Sequence, residues 1–151
     1  MFLEEIFPTP IWGFDLDMDV DSIKYWCYSC MKENPGRVIS NVGGWQSEDY
    51  REFGNTPLAE LVLYIVKESH NIANDIGIPK GDRWIENLWL NINPKYSYNQ
   101  VHVHPEARLS GVFYVSAPEN SGDICFTRTG GYALGTVAPN STRYSSCEWC
   151  Y

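Results

Sequence analysis

The sequence predicts an α+β fold weighted towards β, in which two N-terminal helices cover one face of an antiparallel sandwich or barrel. Three observations carry this. Apolar residues recur at the helical period in two stretches before residue 80. From Arg83 the pattern switches to alternation, and the short alternating runs that follow are separated by turns containing Pro105 and Pro118-Glu119-Asn120-Ser121-Gly122. A chain of 151 residues is long enough for one hydrophobic core. It is therefore read as a single domain, 1–151, with a helical and extended part over 1–80 and a β core over 83–151.

The elements follow in order. Residues 6–14 hold apolar side chains around Pro8 and Pro10, which suits an edge strand or an extended lead-in. A first helix starts after Asp19 or Asp21 as N-cap. It carries Val20, Ile23, Cys27, Cys30 and Met31 on one side, with Trp26 closing the stripe, and ends before Asn34-Pro35-Gly36. Residues 40–47, with Gly43-Gly44 beside Trp45 and polar neighbours, read as a loop near the mouth of a site. A second helix has Thr56 as N-cap and Pro57 at its first position, and Gly77 ends it before Pro79. Its apolar positions Leu58, Leu61, Val62, Ile65, Ile72, Ala73 and Ile76 require a surface to cover, which should be a sheet.

Over 84–93 a strand places Trp84, Leu88, Leu90 and Ile92 on one face and Asn87, Trp89, Asn91 and Asn93 on the other. A row of Asn flanking a Trp suits the wall of a polar cavity. Further strands are expected over 101–104, 109–117 and 122–127. Residues 143–151 also read as a strand, one that leaves an unpaired edge at the last residue. The sequence contains no internal repeat and no low-complexity segment.

Composition excludes several classes of function. A formal net charge of -8 with no basic cluster argues against long nucleic acid, whose binding is driven by clustered Lys and Arg. No apolar run approaches the about 20 residues that a spanning helix needs, and the start Met1-Phe2-Leu3-Glu4-Glu5 is not that of a signal peptide. A cytoplasmic protein that does not engage membranes is expected. Five Cys, an odd number, favour free thiols over disulfides. Cys27-Tyr28-Ser29-Cys30 and Cys147-Glu148-Trp149-Cys150 could pair around a zinc ion. Yet the first pair lies within a helix, where Cys packs as a small apolar residue, and strand alternation sends the second pair to opposite faces. Packed thiols are the expectation.

The most informative run is Gln100-Val101-His102-Val103-His104-Pro105-Glu106. On a strand, residues two apart share a face, so His102 and His104 project together while Val101 and Val103 pack behind them. Two neutral imidazoles so placed can share one first-row transition metal. A facial triad of two His and one carboxylate leaves three positions on iron for oxygen and a bidentate co-substrate. Glu106 is the nearest carboxylate, although Pro105 breaks the alternation before it; a third ligand supplied later in the chain is the preferred arrangement. The only other histidine, His70, falls on the polar side of the second helix and is expected to be solvated.

These residues also carry a family resemblance. Asn87-Leu88-Trp89-Leu90-Asn91, the run from Asn99 with its His-x-His-Pro, Ser110-Gly111-Val112-Phe113-Tyr114-Val115, Pro118 and Ser121-Gly122-Asp123-Ile124-Cys125-Phe126 resemble the iron(II)- and 2-oxoglutarate-dependent oxygenases common in marine phages and bacteria. Phe7-Pro8-Thr9-Pro10 and Gly43-Gly44-Trp45-Gln46-Ser47 resemble the same family's N-terminal half. The resemblance implies a double-stranded β-helix, or jelly roll, carrying N-terminal helices. It also implies prolyl-hydroxylase-like chemistry, in which iron(II) activates O2, 2-oxoglutarate is decarboxylated to succinate and a C–H bond of a peptide or small-molecule substrate is attacked. His102 and His104 would lie at the iron, and Asn91, Ser110 and Tyr114 would line the co-substrate pocket.

The sequence departs from the family in two places. Thr127-Arg128-Thr129-Gly130 stands where the family has an Asp-Pro-Arg stretch. No His follows His104, and Arg143 comes too early for the Arg that pairs with the far carboxylate of 2-oxoglutarate. The resemblance therefore implies a chain that stops before its last strands. Two rivals stand beside this reading. A cupin-type metal protein would want a Gly and a Glu where Tyr96 and Arg108 stand. A non-catalytic jelly-roll binding module of a phage would explain the missing distal ligand.

Overall fold

A computed structural model describes residues 9–78, 85–128, 132–137 and 148–150. The first part of the lead-in, Trp84, Thr129-Gly130, Arg143, Cys147 and Tyr151 lie outside the described residues.

Helix α1 spans Val20–Glu33. Asp19 caps it, its carboxylate accepting from Ser22 N at 3.1 Å; the Ser22 hydroxyl, and after it that backbone bond, hold the Asp19 carboxyl below its ordinary range. Ile23 and Cys27 are its buried residues, one helical turn apart. Strands β1 (Asn41–Val42) and β2 (Trp45–Gln46) follow. The expected loop over 40–47 therefore forms two short strands joined at Gly43-Gly44, because each finds an antiparallel partner later in the chain. Helix α2 spans Ala59–Asp75. It starts two residues later than the sequence predicts: Leu58 is the N-cap, without a side-chain cap bond, and Thr56 Oγ1 accepts from Leu58 N at 3.2 Å in the turn that precedes the helix. Its exit is a Schellman turn, in which Ile78 N donates to Ala73 O and Gly77 N to Asn74 O, with Gly77 at φ 74°. Leu58, Leu61, Ile65, Ile72 and Ala73 are buried, whereas Ile76, in the last turn, is exposed. Ser69 is also buried, its hydroxyl satisfied by Val66 O within the helix.

The predicted strand over 84–93 divides into β3 (Asn87–Leu88) and β4 (Asn91–Ile92). Residues 45–50 run antiparallel along it: Trp45 opposes Ile92, Gln46 opposes Asn91, Ser47 N donates to Leu90 O, and Tyr50 bridges to Leu88. Strand β5 (Tyr98–Asn99) pairs with β1, Asn41 opposing Asn99. Strand β6 (Ser110–Val112) is all the regular structure, beyond a bridge at Tyr114, that forms from the longer strand expected over 109–117. Strands β7 (Ile124–Arg128) and β8 (Tyr132–Val137) form a hairpin whose register shifts between Phe126 and Thr127. Strand β9 (Glu148–Cys150) lies between β3 and β6 and pairs antiparallel with both. These three residues are thus held on two sides, and the edge expected there is covered.

Among the described residues, two helices with four small antiparallel sheets make the architecture α+β. The sheets have two or three strands each, and the described residues do not display the double sheet of a jelly roll. One cluster joins the parts: Ile23 and Cys27 of α1, Leu58, Leu61 and Ile65 at and in α2, and Ile85, Leu88 and Leu90 beside β3. The helices therefore cover a β surface, as the α2 pattern requires.

Candidate functional site

The alternation over 87–92 sets the first wall. Leu88 and Leu90 point into the core cluster, and Ile92 packs against it. Trp89 is buried as well but lies outside that cluster, on the opposite side of the chain. There its ring meets the His104 imidazole edge-on, centroids 5.4 Å apart and planes at 85°. Asn87 and Asn91 flank Trp89 at two-residue spacing, so the polar face read from the sequence is the face that receives His104.

Residues 101–104 do not form a strand. Val101 and Val103 are 76% and 81% exposed, so they do not pack behind the histidines. Alternation yields a strand only where a ladder partner and a buried face reward it, and this run has neither. The chain nevertheless brings the two imidazoles together, with centroids 4.9 Å apart and planes inclined at 54°. His102 is exposed and His104 half-buried.

The ring nitrogens are individually set. His102 Nδ1 lies 2.6 Å from Gln100 O. A carbonyl oxygen only accepts, so Nδ1 carries the proton and, in the neutral ring, Nε2 holds the lone pair. His104 Nδ1 lies 2.5 Å from Ser110 Oγ, at the start of β6. Its Nε2 is buried. Anchoring one ring nitrogen and presenting the other is how metal-binding imidazoles are oriented.

Glu106 sits in the exposed turn after Pro105 at φ 69°, and the turn is closed by Ala107 N donating to His104 O at 3.3 Å. Among the described residues no group of three or more His, Cys, Asp or Glu side chains assembles. The two imidazoles are therefore the donors that these residues bring together. Asn91 stands on β4 opposite Gln46, Ser110 at His104, and Tyr114 is half-buried beyond the end of β6. His70 is half-buried, with Nδ1 2.6 Å from Val66 O, and so is tied to its own helix rather than solvated. Cys27, Cys30 and Cys125 are free thiols.

Gln46 was not anticipated at this wall. The signal for it is the Gly43-Gly44-Trp45-Gln46-Ser47 run, whose alternation puts Trp45 and Gln46 on opposite faces. No helix among the described residues is long and apolar enough to cross a membrane.

Residues 87–149, which begin at β3, contain both histidines and reach into β9, match the model of a family described as "Putative 2OG-Fe(II) oxygenase". The match covers less than half of the chain and excludes both helices. No curated protein and no solved structure matches the chain. Over residues 87–149 the chain is similar to the 2OG-Fe(II) oxygenase family, whose name implies iron(II), 2-oxoglutarate and O2 as reactants.

Proposed function

We propose that this chain is a non-haem iron(II)- and 2-oxoglutarate-dependent dioxygenase domain of the hydroxylase type, with His102 and His104 as two ligands to the metal. The observation that carries the reading is the imidazole pair itself, with rings 4.9 Å apart and the His102 tautomer fixed by a backbone carbonyl. Iron(II) held there supplies O2 activation coupled to decarboxylation of 2-oxoglutarate. The chain's own residues do the rest. Gln100 O and Ser110 Oγ hold the rings in place. Trp89 shields the inner side of His104 from water. Asn91, Ser110 and Tyr114 line the co-substrate pocket, and the third metal ligand is Glu106 or a later residue. A jelly roll built around this wall and a cytoplasmic setting complete the proposal. The substrate that is oxidised is a peptide side chain or a small molecule.

The test is succinate release that depends on both iron(II) and 2-oxoglutarate. His102→Ala is expected to lower it by more than about 100-fold, since a metal ligand matters more than the outer-shell groups whose loss costs about 10–100-fold. Undiminished turnover in that variant would remove His102 from the metal.

A further inference from the structure

We infer that Gln46, from the part of the chain before the matched family segment, is a substrate-positioning residue that accepts a hydrogen bond from an N–H or O–H group of the oxidised substrate. The inference rests on the proposed site and extends it to substrate chemistry. Gln46 is 3% exposed, and its Oε1 is buried with no hydrogen-bonding partner among the described residues. Its direction follows from its neighbours. Trp45 packs against the core cluster, and Ser47 turns inward, its hydroxyl accepting from Leu90 N at 2.9 Å. Gln46, between them, faces away from the core. It stands directly opposite Asn91, and opposed residues of an antiparallel ladder share a face. That face is the one on which Trp89 meets His104.

A second acceptor lies on the same wall: Asn87 Oδ1 is buried and has no partner among the described residues. A buried carboxamide oxygen without a donor costs stability, and such costs concentrate where a ligand completes the bond. Arg37, bridged to Gln46, has a buried Nε without an acceptor, but its guanidinium is already neutralised by Asp49 and Glu48, so the two acceptor oxygens call for a ligand that donates. 2-Oxoglutarate at neutral pH is a dicarboxylate with a ketone and has no donor to offer. The wall formed by Gln46 and Asn87 is therefore assigned to the other substrate, one bearing amide N–H or hydroxyl groups.

The test uses the full chain and side-chain amide NMR signals, titrated separately with N-methylacetamide, glycerol and succinate. N-methylacetamide or glycerol is expected to shift the Gln46 and Asn87 signals, the stronger of the two naming the donor, while succinate leaves them in place. Gln46→Met, which removes the acceptor at nearly constant volume, is expected to weaken that binding by about tenfold or more, the equivalent of one hydrogen bond. It is also expected to raise the melting temperature, which a purely structural glutamine would lower. Shifts with succinate alone, or with none of the three, overturn the inference, and the wild-type titration decides this even if Gln46→Met fails to fold. Cobalt(II) binding is followed in parallel by visible absorption. Its persistence in His102→Ala would sink the metal assignment without touching Gln46, and its loss there together with silent amide titrations would sink Gln46 alone.

Discussion

Ser110 is the residue on which the geometry of His104 depends. Its Oγ engages His104 Nδ1, so Ser110→Ala removes that hold on the ring while the Trp89 contact remains. Metal affinity is expected to fall by about 10–100-fold, the usual cost of an outer-shell partner. Cobalt(II) titration of the variant checks this, with His70→Ala as a control that leaves affinity unchanged because His70 is bonded to its own helix. The His-x-His spacing and the Asn-Trp-Asn wall were legible in the sequence because both depend only on side chains two residues apart. The strand expected beneath the histidines was not. Whether Val101 and Val103 are buried is decided by what packs on them, and local alternation carries no record of that partner.

At the scale of elements, the caps were the most legible features, since they are satisfied within a few residues. Asp19 and Gly77 sit where capping chemistry places them, whereas Thr56 closes the turn just before α2, whose N-cap is Leu58. Gly77→Ala puts a side chain at φ 74° where no atom lies within 4 Å, so its cost is conformational alone, about 1 kcal/mol by chemical denaturation. Gly36→Ala combines φ 71° with a Cβ 2.5 Å from Gln46 O and Trp45 Nε1, so it should cost well over that and disturb β2. The contact of α1 with Tyr50 also sets a pH limit. Burial, then the neighbouring Cys30, pushes the Cys27 thiol from its ordinary 9.0 up to about 11. Burial, then a hydrogen bond with Cys30, raises the Tyr50 phenol as well. A group whose folded pKa is raised holds its proton more tightly in the fold, so its stability is intact below the unfolded value and is lost as pH rises through the folded one. Melting temperature should therefore be level to about pH 9 and fall between pH 9 and 11, and Cys27→Ala should flatten part of that fall. Exposed Cys125 should react with a thiol reagent at pH 8 while Cys27 stays protected.

The whole molecule shows why its sheets could not be assembled from the sequence. Their partners are far apart: β1 waits for β5, β2 for β4, and β3 reaches β6 only through β9. Periodicity can propose that residues 87–92 form a two-faced wall, but not which segments will flank it. The same long-range pairing makes the matched segment depend on what precedes it. Ile85, Leu88 and Leu90 are buried against Ile23, Cys27, Leu58, Leu61 and Ile65, all of which come from the helical half. Exposing three such side chains costs roughly 5–9 kcal/mol, which is comparable with the about 5–15 kcal/mol that holds a typical domain together. Trp89 and the Asn wall project from the reverse side of that packing, so losing the core also loses the surface that receives His104. A fragment starting at Ile85 is therefore expected to show no cooperative thermal transition and no cobalt(II) binding. Adding residues 9–78 as a separate chain should restore both if the helices dock on Leu88 and Leu90, and Leu61→Ala in that added chain should weaken the restoration by about 2–5 kcal/mol. Cobalt(II) binding by the isolated fragment would show instead that the histidine pair is organised locally, by Gln100, Pro105 and Ser110 alone.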